Sequence, residues 1–347
     1  MRRRDFLRLL TGVAAGCAAV VQPLTAHAQQ PATPVIGILS SASLSAFTEL
    51  LGAFRRGLQE TGFIEGQNVA IESRWAEGRF ERLPGMATEL VERHAAVIVT
   101  TGGSSTLAVK AARLTVPHVF LSQDDPVKLG LVASFNKPGG NATGMSLLTS
   151  TLVAKRLEYV RQLTPAGSPL SYLMNPQAPE AEFHLNDMQA AAREGGLAIS
   201  VLNASSERDI DDVFAVLGKR GGALIVSTDP FLVSRFQQIV VLAAHHKIPA
   251  IYDCPEFVEA GGLISYGADL HDAYRQIGVY AGRIIAGAKP ANLPVMQPTK
   301  FELCLVPDFD GASLSHDSKE ALWDKFYTAA PPRRRQSVEQ YNIVKRA

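Results

Sequence analysis

Ala96-Val97-Ile98-Val99-Thr100-Thr101 and Ala223-Leu224-Ile225-Val226-Ser227-Thr228 are two versions of one hexapeptide, 127 residues apart. Each is a short β-branched apolar run that ends in hydroxyl residues and then a turn, Gly102-Gly103 in one and Asp229-Pro230 in the other. Runs of this kind read as strands buried on both faces of a parallel sheet. Two more matches flank them in the same order. Val35-Ile36-Gly37-Ile38-Leu39 pairs with Leu170-Ser171-Tyr172-Leu173-Met174 at an offset of 135, and Val116-Pro117-His118-Val119 pairs with Ile248-Pro249-Ala250-Ile251 at 132. One match arises by chance; three in order mark a repeated half.

The residues between these runs carry helical periodicity. Leu50, Leu51, Phe54 and Leu58 share one face of a helix over 45–61, and Gly62 ends it. The first half continues with a strand over 68–74, a helix over 79–93, the 96–101 strand, a helix from Ser104 and a strand at 118–121. The second half runs strand 170–174, a helix through Met188 and Ala192, strand 197–202, helix 207–219, strand 223–228, helix 231–246 and strand 248–252. Two β-α-β-α-β-α-β halves with right-handed crossovers predict an α/β fold of two doubly wound parallel-sheet domains with an interdomain cleft.

Ligands of open α/β sheets lie beyond the carboxyl ends of the strands. The first half places Ser40-Ser41, Gly102-Gly103-Ser104-Ser105-Thr106 and Ser122-Gln123-Asp124-Asp125 there. The second places Asn175, Asn203-Ala204-Ser205-Ser206, Thr228-Asp229 and Asp253 there, with Tyr252 and Tyr266 near the same mouth. The candidate ligand-binding residues are therefore Ser40, Ser41, Gly103, Ser104, Ser105, Gln123, Asp125, Asn175, Asp229, Asp253 and Tyr266. The Gly102–Thr106 turn opens a helix, so its amides suit an anion, although Ser104 or Ser105 capping that helix would explain the same residues. Asp229 and Asp253 suit an ammonium group. Tyr252 and Tyr266 suit either a ligand ring or core packing, and Trp75 reads as packing.

Composition narrows the function. Lys+Arg is 34 and Asp+Glu 33, for a net charge of +1, which disfavours a nucleic-acid partner held through phosphates. G-x-G-x-x-G, G-x-x-x-x-G-K-[ST], G-x-S-x-G and H-E-x-x-H are all absent, and His245-His246 point apart on a helix. No catalytic residue, metal site or cofactor is expected. Asp124-Asp125, followed by Pro126, reads as a turn in which Asp bonds its own backbone.

Residues 1–28 read as an export signal: basic Met1–Arg4, a small apolar stretch, then Ala26-His27-Ala28 as a cleavage site. Arg3-Arg4-Asp5-Phe6-Leu7-Arg8 resembles the twin-arginine motif, with a general secretory signal as the alternative. Removing 1–28 leaves a chain of net charge −2. Ala14-Ala15-Gly16-Cys17 only faintly resembles a lipoprotein box. Cys254 and Cys304 remain, as one bridge or as two separate buried thiols.

Several further stretches occur together. They are Phe54-Arg55-Arg56-Gly57-Leu58 with Gly62-Phe63-x-Glu65-Gly66-Gln67-Asn68-Val69, then Asp125-Pro126-Val127-x-x-Gly130-Leu131-Val132, and Pro138-Gly139-Gly140-Asn141-x-Thr143-Gly144-Met145-Ser146. Asn175-Pro176, Asp229-Pro230, Ile248-Pro249 and Gly261-Gly262-Leu263-Ile264-Ser265-Tyr266-Gly267 follow. Over about 34–305 the chain resembles the ABC-transporter substrate-binding protein family that includes the tryptophan/tyrosine-type binding proteins. The resemblance implies a type I periplasmic-binding-protein architecture of two Rossmann-like lobes that close over a small ligand. It implies an N-terminal lobe of 34–145 plus about 268–295 and a C-terminal lobe of 146–267 plus about 296–308. Crossings fall at 144–146, 266–269 and 294–299, and helix 272–288 joins the first lobe. It also implies ABC permease subunits in the inner membrane as partners, a periplasmic location and binding of a small polar or anionic solute, such as an amino acid. Ser40, Ser41, Gly103, Ser104 and Ser105 would then hold the anionic group. We expect a monomer. A ligand sensor of the same fold, or a secreted α/β enzyme, is the alternative. After Phe301-Glu302-Leu303-Cys304-Leu305 the chain departs from the family pattern, and 311–347 is expected to be a poorly ordered tail outside the core.

Overall fold

The computed structural model describes residues 33–147, 149–165 and 167–305. The export signal, Cys17 and the 311–347 tail lie outside the described residues.

The first sheet is built from β1 (Val35–Ser40), β2 (Ala70–Trp75), β3 (Ala95–Thr101), β4 (His118–Ser122) and β5 (Ala142–Ser146). Helices α1 (Thr48–Gln59), α2 (Leu83–Glu92) and α3 (Gly103–Ala111) connect its first four strands. The strand order is β2-β1-β3-β4-β5 and every pairing is parallel. All of β4 and nearly all of β1 and β3 are buried, because helices cover both faces.

The chain then runs through α4 (Thr149–Gln162), β6 (Leu170–Met174), α5 (Ala181–Glu194), β7 (Ile199–Asn203), α6 (Glu207–Arg220) and β8 (Ala223–Val226). Next come α7 (Pro230–Ser234), α8 (Phe236–His245), β9 (Ala250–Tyr252), α9 (Pro255–Glu259), β10 (Ile264–Ala268), α10 (Leu270–Ile285) and β11 (Phe301–Leu305). The second sheet has the order β11-β10-β9-β8-β6-β7. Its β7-β6-β8-β9-β10 portion repeats the first sheet's order. Edge strand β11 is antiparallel to β10, so this sheet is mixed where the sequence suggested only parallel strands.

Two elements differ from the sequence reading for identifiable reasons. The single helix expected over 231–246 is two: Arg235 leaves helical geometry (φ −107°, ψ 19°) between α7 and α8. Ala142–Ser146, quoted above as part of a motif and, at 144–146, as a crossing, forms edge strand β5 of the first sheet, and the crossing follows it. Trp75, read above as packing, is the last residue of β2 and lies 6.0 Å from Phe47, ring to ring.

Helix α10 packs on α1 although more than two hundred residues separate them. The contact is backbone-close: a methyl group on Gly57 would stand 1.9 Å from the Arg275 carbonyl oxygen, so only glycine fits. Tyr274, Ile277, Tyr280, Ala281 and Ile284 of α10 join Ile36, Ile38, Phe54, Val97, Val99 and Leu121 in the first lobe's core. Helix α4 instead packs Leu152, Leu157 and Val160 against Tyr172, Ile225 and Ile251 of the second sheet. The chain therefore passes between the lobes after β5, between β10 and α10, and again before β11. The segment before β11 runs beside β5, where Met296 N donates to Gly144 O at 2.8 Å and Ser146 N donates to Met296 O at 3.0 Å.

Candidate functional site

In a sheet ordered 2-1-3-4-5 the switch in chain direction lies between strands 1 and 3, and a crevice opens at their carboxyl ends. The first lobe puts Ser40 and Ser41 of β1 beside Gly102 and Gly103 after β3. Ser40 Oγ accepts from Ala42 N at 3.2 Å and so shapes its own turn. Ser41 is fully buried, and its Oγ has no hydrogen-bond partner. Gly102 holds φ +103°, a conformation that favours glycine, and a methyl group there would stand 3.9 Å from Ser41 Oγ.

The start of α3 is not capped by a side chain, so the alternative in which Ser104 or Ser105 caps it fails. Ser105 donates back to Thr101 O and Gly102 O, and Thr106 donates to Gly102 O. Gly103 N donates to Gln123 Oε1 at 3.1 Å, tying the β3 and β4 ends together. Ser104 Oγ stands 2.8 and 2.6 Å from the two carboxylate oxygens of Glu180, which belongs to the opposite lobe. The anion at this helix start is thus one of the protein's own side chains.

A second pair crosses the same gap. His184 Nε2 on α5 lies 3.2 Å from Asp124 Oδ1, and both side chains are about nine-tenths buried. Burial works against the imidazolium, but Asp124, together with Glu180 and Asp229, offsets it and raises the His184 pKa above its ordinary value. Asp124 Oδ2 has no partner. Asp125 differs: its Oδ1 accepts from Val127 N at 2.8 Å and Lys128 N at 3.3 Å, which fixes a turn and turns the carboxylate to that use.

In the second lobe, Asn175 follows β6 and Asp229 follows β8. Asn175 Nδ2 is 3.5 Å from both Asp229 oxygens, and its Oδ1 accepts from Gln177 N. Asp229 Oδ1 caps α7 through Leu232 N at 3.0 Å. Burial pushes the Asp229 pKa up to about 7, against the Leu232 amide and with the help of the Glu180 charge. Burial likewise raises Glu180, which the Ser104 hydroxyl only partly offsets. Asp253 is 9 % exposed and its Oδ1 has no partner.

Two tyrosines and a serine pair have structural roles. Tyr266 stands edge-on to Tyr159 at 5.2 Å and stacks on Phe301, so it is core. Tyr252 stacks on Phe257 at 4.3 Å. Ser206 and Asp209 form a capping box at α6, with Ser205 bonded to the same carboxylate.

Three residues that the sequence reading missed belong to this site: Arg156, Glu180 and His184. Arg156 on α4 is 4 % exposed, donates through Nε to Tyr266 O at 2.8 Å and reaches Thr228 Oγ1 at 3.5 Å. It shares a small recess with Tyr172, His184, Asp187, Met188 and Thr228. Burial lowers its pKa, and Asp253 is the first opposing charge. A guanidinium in that position offers a carboxylate a bidentate partner. Among the described residues no group of three or more His, Cys, Asp or Glu is arranged to hold a metal ion, and Cys254 and Cys304 are free thiols.

Known proteins place this arrangement. Residues 34–308 match the family model described as ABC transporter substrate binding protein. A tyrosine-binding protein of Clostridioides difficile is 24% identical over 273 residues, 79% of each chain. A conserved domain protein from Vibrio cholerae superposes with a TM-score of 0.75 at 22% identity, covering 83% of this chain and 98% of that one. An ABC domain from Streptococcus pneumoniae in complex with L-Trp superposes at 0.70 with 24% identity, covering 79% and 92%. The two doubly wound lobes, with polar strand ends facing one crevice, are those of a solute-binding protein rather than an enzyme, and the chain belongs to the ABC transporter substrate binding protein family.

Proposed function

We propose that this protein is the periplasmic solute-binding component of an ABC importer, exported by its first 28 residues. Its lobes close over an amino acid, and the closed form docks on an inner-membrane permease. The observation that carries the reading is the direct meeting of the lobes at their strand ends, through Ser104 with Glu180 and Asp124 with His184. Contacts made by both lobes to one ligand favour the closed state and shift an open–closed equilibrium. Arg156 is the buried cation for the ligand's carboxylate, and the acids at the strand ends serve its ammonium. The tyrosine-binding relative and the L-Trp complex support an amino acid as the solute class.

A thermal-shift screen of the purified protein against amino acids, small carboxylates and aromatic acids tests this. A ligand at 100 times its Kd adds about 2.7 kcal/mol to a fold that alone binds it. A selective shift by an amino acid supports the reading, and no shift by any of them refutes the amino-acid assignment.

A further inference from the structure

Glu180 and Asp124 approach each other from opposite lobes. A methyl group on Gly103 would stand 3.1 Å from Asp124 Oδ2 and 3.3 Å from Glu180 Cδ, so both carboxylates crowd the same backbone position. Glu180 is 2 % exposed and Asp124 8 %. An ionised carboxylate has about four acceptor sites and no donor. Glu180 takes from the other lobe a single hydroxyl proton, shared between its two oxygens, and Asp124 Oδ2 takes none. His184 faces Asp124 Oδ1 and supplies at most one positive charge to the pair. Asp229 adds a further acid to the field on both Glu180 and His184. Two buried like charges brought together by closure oppose that closure unless a cation arrives with it.

We propose that the ligand carries a protonated amine that lies between Glu180 and Asp124, one carboxylate from each lobe, and that this bridge is what closes the protein. The inference rests on the reading that this cleft takes a small solute, and it adds which chemical group that solute must have. It also moves the ammonium partners from the strand-end acids alone to the seam between the lobes. A carboxylic acid lacking the amine is a poor ligand even where Arg156 is free to receive it.

The test has two arms. In the first, small-angle scattering compares empty wild type with Glu180→Gln at pH 7.5. The amide keeps an acceptor for Ser104 but removes the charge, so the variant is expected to be more compact. Equal radii of gyration overturn the proposal whether or not a ligand is known. In the second, calorimetry compares L-tyrosine with 3-(4-hydroxyphenyl)propionate, and L-tryptophan with indole-3-propionate. The amino acids are expected to bind at least tenfold tighter than their deaminated partners, and E180Q to lose roughly tenfold to a hundredfold in amine affinity. A deaminated acid that binds as tightly as its parent overturns the proposal while leaving the solute-binding reading intact. If none of the four binds, the amino-acid reading falls instead, and the scattering arm alone decides this one.

Discussion

Asp229→Asn isolates one charge without removing one cap. Asparagine caps a helix about as well as aspartate, so Leu232 N keeps its acceptor. What changes is the titration. Asp229 titrates at about 7 in the folded protein against 3.8 in an ordinary environment, a shift of about three units, and each unit corresponds to about 1.4 kcal/mol. Because the folded state holds the proton more tightly, the group's stabilising effect is complete below pH 3.8 and is lost as pH rises to about 7. The full loss is about 4 kcal/mol. Between pH 5 and pH 8.5 the wild type should lose about 2–3 kcal/mol through this residue, and the variant should lose none of it. Urea denaturation of both proteins at several pH values, followed by far-UV circular dichroism, reads the difference directly. The variant should gain on the wild type as pH rises. Parallel pH profiles would refute the claim that burial holds the proton on Asp229.

The other predictions concern packing, acid lability and the cleft. Gly57→Ala pushes a methyl group onto the Arg275 carbonyl, which no rotamer change relieves; we expect a loss of about 3 kcal/mol and a Tm lower by ~5–10 °C in calorimetry. His118 is buried, bonded at 2.8 Å to Thr100 Oγ1, and pushed down by burial to a pKa of about 3. The unfolded chain therefore takes up the proton first, and stability falls as pH drops from 6.5 toward 3; His118→Gln should flatten that acid limb in a thermal melt series. Arg156→Met removes the proposed carboxylate partner, so titration calorimetry should show amino-acid affinity down tenfold or more; unchanged affinity would remove Arg156 from the site. Asp229→Ala should weaken amino-acid binding by the same assay, and an unaltered Kd would end its proposed role.

The fold was legible because its signal is local and repeated. Val35–Leu39, Ala96–Thr101 and Ala223–Thr228 announce themselves as buried strands, and the polar residues at their ends follow from parallel topology alone. β5 was harder: Ala142–Ser146 contains Gly144, whose missing side chain lets the strand approach the Phe120 backbone, so it lacks a strand's usual pattern. The site was legible only on its strand-end side. Gly103, Ser104 and Asp229 lie where the repeat puts them, whereas Glu180 and His184 come from the start of α5 and Arg156 from the middle of α4. In sequence those three look like the charged face of a surface helix; packing turns them inward, Arg156 onto Tyr266 O and Thr228 Oγ1 of its own lobe, and Glu180 and His184 onto Ser104 and Asp124 of the other. Tyr266 was ambiguous for the opposite reason, because an aromatic near a cleft reads the same whether it faces ligand or core, and here it packs on Tyr159 and Phe301.

The central claim is that two lobes close over a solute that both of them touch. The direct measurement is the radius of gyration in solution, by small-angle scattering, before and after saturation with the amino acid that gives the largest thermal shift. The account predicts a smaller radius on saturation, since the ligand's amine draws Glu180 and Asp124 together. Saturable binding with no change in radius would contradict it.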